Sequence, residues 1–170
     1  MIFYHFTHRN NFDCIFRDKK ILQGQYWQDR KKVAGAISLT TELCPEGHGL
    51  PDGRPLTKDE CHLMRYFTES ADGQCFSIDN TEFCIGFDLA GSDLHLKNAN
   101  QVHSSMELKD LAIAGHFPIK GTNTQANRNL LSEKISTGQV KLMDQTWWYY
   151  FADLDLSRRH FDVYHKTSLG

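Results

Sequence analysis

The sequence predicts a single α+β domain, and three observations carry that expectation. Strand-like runs stand near both ends, IFYHFT at residues 2–7 and HFDVYH at residues 160–165, while helical spacings fall early and in the middle. No glycine-rich phosphate loop follows a strand: GxGxxG and GxxxxGK(S/T) are both absent, which excludes a doubly wound dinucleotide fold. The 170 residues suffice for one well-cored domain and not for two, so residues 1–170 are expected to form one unit.

The elements follow in order. Residues 2–7 are short and rich in β-branched and aromatic side chains, the mark of a strand. Asn10 and Asn11 are placed to cap a short helix in which Phe12, Ile15 and Phe16 recur at helical spacing, with Lys19 and Lys20 closing it before Gly24. AISLTT at residues 36–41 is the next strand, and residues 42–56, with three Gly and three Pro, form a long loop of the kind that carries function or moves. Thr57 and Glu60 have capping-box spacing ahead of Leu63, Tyr66 and Phe67, so a helix is expected from about Lys58, a strand being the alternative.

Phe83, Ile85, Phe87 and Leu89 alternate with Cys84, Gly86 and Asp88, the cleanest period-two signal in the chain, and predict a central strand with Phe83, Ile85 and Phe87 on one buried face. Ser104 and Glu107 offer a second capping box before Met106, Leu108, Leu111 and Ala112, with Gly115 as a stop. Residues 121–129 (GTNTQANRN) read as a polar loop, followed by a helical turn at Leu130, Leu131 and Ile135. Residues 146–152 and 160–165 complete the strands; there is no internal repeat.

Composition narrows the function classes. Hydrophobic residues make up 40% and charged ones 24%, ordinary globular usage and far from that of disordered chains. Nineteen Lys and Arg against twenty-one Asp and Glu give a net charge of -2, so no global basic field attracts nucleic acid, although a local patch is compatible with it. Five cysteines without CxxC spacing, and no signal-like leader, point to a reducing, cytoplasmic setting. Wholly apolar runs fall far short of the roughly 18 residues that span a bilayer, so no membrane association is expected.

Several residue types could carry chemistry. Cys44, His48, Cys61 and His62 could form a tetrahedral zinc set, but Cys61 and His62 are adjacent and the spacing fits no familiar site, so no metal is expected. Cys14 and Cys84 read as structural. The five aromatics at residues 147–151 put rings on both faces of a strand, for which burial on both sides is the simpler reading and a stacking platform for nicotinamide or a flipped base the sharper one.

The run Phe3-Tyr4-His5-Phe6-Thr7-His8-Arg9-Asn10-Asn11, a strand passing directly into a helix with Gly24 downstream, resembles the opening of the ADP-ribosyltransferase-like superfamily. The resemblance is especially to the DarT-type nucleic-acid ADP-ribosyltransferases and the RNA 2'-phosphotransferases, in which an N-terminal strand reads roughly Tyr-His-Phe-Thr before a helix ending near Gly. Ser38-Leu39-Thr40-Thr41 resembles the second-strand motif lining the nicotinamide pocket in parts of that superfamily, and residues 147–163 resemble its closing strands. Together the matches cover about a third of the chain. The resemblance implies a split β-sheet core with flanking short helices, NAD as substrate and a nucleic-acid or protein acceptor.

By the same resemblance His5 would bond a ribose, Phe6 and Thr7 would hold nicotinamide, and Ser38 or Thr40 would line the opposite wall. Holding the ring and stabilising an oxocarbenium-like state is most of what such transfer asks of a protein. Superfamily transferases place a glutamate at the start of a late strand, whereas this chain reads Met143-Asp144-Gln145-Thr146 there. Asp144 or Gln145 would then take the acceptor role, with Glu133 next in line. The departure equally admits a protein that binds NAD-like ligands or blocks a partner without transferring anything, and a partner that inhibits it. A 2'-phosphotransferase would instead need cations such as Arg30, Arg65 and Arg128.

Overall fold

The computed structural model describes residues 1–28, 31–46, 48, 50–58, 61, 67–108, 125–140 and 143–168. Strand β1 (Ile2–Thr7) leads into helix α1 (Arg9–Asp18), then into the short strands β2 (Lys20–Ile21), β3 (Gln25–Gln28) and β4 (Lys31–Ala34) and strand β5 (Ile37–Thr40). Strands β6 (Phe67–Glu69), β7 (Cys75–Ser77), β8 (Phe83–Asp88) and β9 (Leu96–Asn98) precede α2 (Ala99–Val102). The chain continues through α3 (Gln125–Ser136), α4 (Met143–Thr146), β10 (Trp147–Tyr150), β11 (Leu154–Asp155) and β12 (Phe161–His165).

Six strands form one antiparallel sheet in the order β12-β8-β1-β5-β10-β9; β2 with β11, β3 with β4 and β6 with β7 form two-stranded pairs. The architecture is therefore α+β, with a mainly antiparallel sheet and short helices. No helix among the described residues is long and apolar enough to cross a membrane.

Pairing within the sheet is uneven. β1 runs beside β8 from Ile2 opposite Asp88 to Thr7 opposite Phe83, and β10 lies beside β5 from Trp147 opposite Thr40 to Tyr150 opposite Ile37. Between β1 and β5 a single pair is made, Tyr4 with Thr40. Two three-stranded halves thus meet at one residue pair.

The strand with the clear alternation is central, as its pattern predicts, but both of its faces are covered. Phe83, Ile85 and Phe87 are buried, and so are Cys84 and Gly86 between them. On one side Phe3, Ile85 and Phe87 join Ile15, Ile37, Leu39, Leu154 and Leu156 in the main core. On the other, Gly86 lies under the rings of Tyr4 and Tyr164, which meet edge-on at 6.3 Å. Burial pushes the Cys84 thiol up to about 12, so it stays protonated and inert.

Helix α1 differs from expectation at its start. Its N-cap is His8, which makes no side-chain cap bond, and Asn10 and Asn11 lie inside the helix. Glu82, 73 residues away, caps it instead: Arg9 N–H donates to Oε2 at 3.0 Å and Arg9 Nε to Oε1 at 2.9 Å, placing a carboxylate at the positive end of the helix. Ile15 is buried beneath α1, and Phe12 stacks on Phe83 with ring centroids 4.1 Å apart.

Further differences lie in the middle of the chain. Residues 125–129, read from sequence as polar loop, open the helix α3, where Gln125 Nε2 donates to Asn129 Oδ1 one turn on at 2.9 Å. Phe67, expected on a helix, begins β6; Cys61 N–H donates to the Thr57 carbonyl at 3.0 Å, while Leu63 and Tyr66 lie outside the described residues. The Ser104 and Glu107 capping box forms, Ser104 N–H donating to Glu107 Oε2 at 2.7 Å, but Leu111, Ala112 and Gly115 lie outside the described residues. The loop of residues 42–56 is tied down by isolated bridges from Asp52 to Asp79 and from Pro55 to Phe76.

Candidate functional site

A cavity of about 570 Å³ opens where β1 and β5 part. One wall is β1 with His5 and Phe6; α1 contributes Asn11, Cys14 and Asp18; β5 contributes Ser38 opposite, and Trp147, at the start of β10, adds an aromatic surface. The remaining edge, residues 20–24, is pinned from both sides. Gly35 N–H donates to the Gly24 carbonyl at 2.7 Å, and Gln23 N–H donates to Asp153 Oδ1 at 3.0 Å. A Cβ on Gly24 would come within 3.3 Å of the Ala36 carbonyl oxygen, so the smallest residue suits this close approach.

His5 bridges the parting of the strands. Its Nδ1 lies 3.0 Å from the Ser38 carbonyl oxygen, which can only accept, so Nδ1 carries the proton and Nε2 is left as an acceptor. Burial lowers the pKa of the ring below the usual histidine value, partly offset by that bond, and the imidazole is neutral at pH 7. A neutral ring with Nε2 as acceptor suits a ligand hydroxyl.

Charge at the rim is already paired. Asp18 is the one carboxylate among the described lining residues, and Arg17 holds it through two bonds, Nε to Oδ1 at 2.7 Å and Nη2 to Oδ2 at 2.9 Å, which keep its carboxyl below the usual range. Lys20 pairs with Asp153 at 3.0 Å. The Asp153 carboxyl is held low by the Gln23 N–H first and by Lys20 second.

Of the residues read from sequence, His5, Phe6 and Ser38 come together around this cavity. Thr40 is buried, accepts the Glu42 N–H on its hydroxyl at 3.2 Å, and lines a smaller neighbouring cavity with Phe6, Ser38 and Trp147. Thr7 is buried opposite Phe83 and is not among the described lining residues. Asp144 and Gln145 fall on α4, just before β10; Gln145 is exposed, and the side chain of Asp144 lies outside those described. Glu133 is exposed on α3. Arg30 and Arg65 lie outside the described residues, as does the side chain of Arg128.

Among the described residues no group of three or more His, Cys, Asp or Glu is placed to hold a metal, and His62 lies outside them. His48 instead accepts the indole N–H of Trp147 on Nδ1 at 2.7 Å.

Sequence reasoning missed the helix wall, yet a signal was there: Asn11, Cys14 and Asp18 recur at spacings of three and four, beside the Phe12 and Ile15 stripe that faces the core. Leu50 and Asn80 also line the cavity and carry no such local signal. The chain matches no family model, no curated protein and no solved structure.

Proposed function

We propose that this chain is an NAD-dependent ADP-ribosyltransferase-like protein that modifies a macromolecular acceptor, nucleic acid or protein. The observation that carries the reading is the cavity of about 570 Å³ with neutral His5, Ser38 and Trp147 on its walls. Its size suits a cofactor-scale ligand. The one-pair junction between the half-sheets beside it supports the split core that the His5-centred resemblance implies.

In this reading His5 Nε2 accepts a ribose hydroxyl, Ser38 and Phe6 bound the nicotinamide end, and Trp147 shields it from water. Loss of nicotinamide builds positive charge on the ribose, and a neutral His5 adds no opposing charge there. One observation favours a second reading, binding without transfer: the only carboxylate on the described walls, Asp18, is occupied by Arg17, and Met143-Asp144-Gln145-Thr146, with no glutamate, stands just before β10.

Calorimetry with NAD, ADP-ribose and nicotinamide, followed by incubation of labelled NAD with single-stranded DNA, RNA and cell lysate, separates these outcomes. We expect NAD to bind and His5→Ala to weaken it at least 10-fold, about 1.4 kcal/mol. Labelling of one acceptor class, reduced by Asp144→Ala or Gln145→Ala, makes the chain a transferase. Binding with neither labelled acceptor nor released nicotinamide leaves only the binding reading. No heat with any of the three ligands overturns both.

A further inference from the structure

Trp147 lines the cavity, and its indole is gripped by a residue that lies outside the cavity's described walls. Nε1–H donates to His48 Nδ1 at 2.7 Å, with the two rings tilted at 52° and their centroids 5.8 Å apart. His48 is 6% exposed and comes from the loop of residues 42–56, 99 residues away along the chain. The same loop puts Leu50 in the cavity wall, and its Pro51 carbonyl accepts the N–H of Asn80, another wall residue, at 2.8 Å. Gly53 N–H donates to Ser77 Oγ at 3.0 Å and fixes the loop further.

An indole N–H only donates, so this bond requires Nδ1 of His48 to be an unprotonated acceptor, and it sets the rotation of the Trp147 ring. A tryptophan face is the best aromatic partner for a flat cation, and the oxidised nicotinamide ring is one. We propose that His48 is a positioning residue for this site: through its bond to Trp147 it sets the indole surface against which the cationic ring of NAD stacks. This rests on the reading of the cavity as an NAD site. It makes Trp147 selective for the ring-bearing half of the ligand and makes the loop of residues 42–56 part of the site.

The test is calorimetry with NAD and ADP-ribose on the wild type, His48→Ala, His48→Asn, Trp147→Phe and the double variant His48→Ala/Trp147→Phe, with thermal melts to show that each is folded. Asparagine can place its carbonyl oxygen near the position of Nδ1, and phenylalanine keeps a ring while removing the donor. We expect His48→Ala to weaken NAD about 10-fold, Trp147→Phe by at least as much because it also trades the indole face for a smaller ring, and the double variant by no more than Trp147→Phe, since the bond is already lost there. His48→Asn should stay within about threefold of wild type, and ADP-ribose, lacking the ring, should change less than threefold throughout.

Losses that multiply in the double variant, an asparagine variant as weak as the alanine one, or an equal loss for ADP-ribose would each overturn the role. If the wild type binds neither ligand, it is the functional reading that fails, and the ¹⁵N–¹H signal of the Trp147 indole then decides the bond. A signal displaced in His48→Ala and restored in His48→Asn supports the positioning contact; one that is the same in all three proteins overturns it.

Discussion

Gly86 sits in the middle of a central strand under two tyrosine rings, and replacing it by alanine tests how tightly that side of the sheet is packed. A Cβ there would stand 2.9 Å from Tyr4 Cε1, 3.1 Å from Tyr4 Cδ1 and 3.4 Å from Tyr164 Cε2. The Tyr4 ring must therefore retreat by about 0.5 Å to reach ordinary contact. Overpacking of this kind costs about 1–3 kcal/mol, offset by about 0.5–1 kcal/mol because alanine gives up less chain entropy than glycine in a strand. The midpoints of the two ranges leave a net loss of about 1 kcal/mol for Gly86→Ala in urea melts. Tyr4 has limited room to yield, since the adjoining cavity it lines is about 30 Å³, space for roughly one water. Gly91→Ala is the control, because a Cβ there meets nothing within 4 Å, and it should fall within about 0.5 kcal/mol of wild type. Tyr4→Leu should relieve the clash, giving a coupling of at least about 0.5 kcal/mol in the double-mutant cycle. A Gly86→Ala protein as stable as wild type, or strict additivity with Tyr4→Leu, would refute the packing argument.

Phe87→Ala should cost about 3–5 kcal/mol, since Phe87 is 1% exposed in the core, while exposed Asp88→Ala should cost under about 1 kcal/mol; equal shifts in chemical denaturation would contradict the register of β8. Glu82→Ala removes the carboxylate that caps α1 and should cost about 0.5–2 kcal/mol, more than Arg9→Ala, which keeps the bond to the Arg9 backbone N–H; the reverse order in thermal melts would show that the Arg9 side chain, not the cap, matters. Burial lowers the His5 pKa against an unfolded value near 6.5, so as pH falls through about 6.5 the unfolded chain takes up its proton first and stability drops until the folded pKa is reached. His5→Gln should flatten that part of the stability profile, and identical slopes for the two proteins below pH 6.5 would disprove the lowered pKa of the ring.

The legible parts of this molecule are those whose information is local. The alternation at residues 83–89, the β-branched and aromatic run at residues 2–7 and the strand at residues 37–40 announce themselves because residue type and spacing along a strand need no knowledge of the partner strand. Ser104 and Glu107 likewise carry their capping bond within four residues. The cap of α1 was invisible because Glu82 reaches it from 73 residues away, and the asparagines beside it misled because their side chains satisfy any helix start in principle. The polar composition of residues 125–129 favoured loop, yet the segment is helical, an override of weak intrinsic preferences. The three-residue strands β6, β7 and β9 are too short to show a period at all. In the site, His5 and Ser38 stood out through their motifs, whereas the bond from Trp147 to His48 spans 99 residues, and only the folded chain brings the two together.

The central place of β1 also dictates when the sheet can be assembled during synthesis. Its full-length partner, β8, follows it by about 80 residues, and the nearer neighbour β5 offers it only the single pair at Tyr4 and Thr40. At about 5–20 residues per second a ribosome needs roughly 4–16 s to deliver β8 after β1, and through that interval Phe3 lacks Ile85 and Phe87, its core neighbours from β8. Pairings this distant close slowly, because the entropy of a long loop is lost before its contacts form. Nascent chains halted between residues 40 and 83 should therefore be bound by chaperones and cut readily by proteases, with protection gained in two steps, once residue 88 and then once residue 156 clears the exit tunnel.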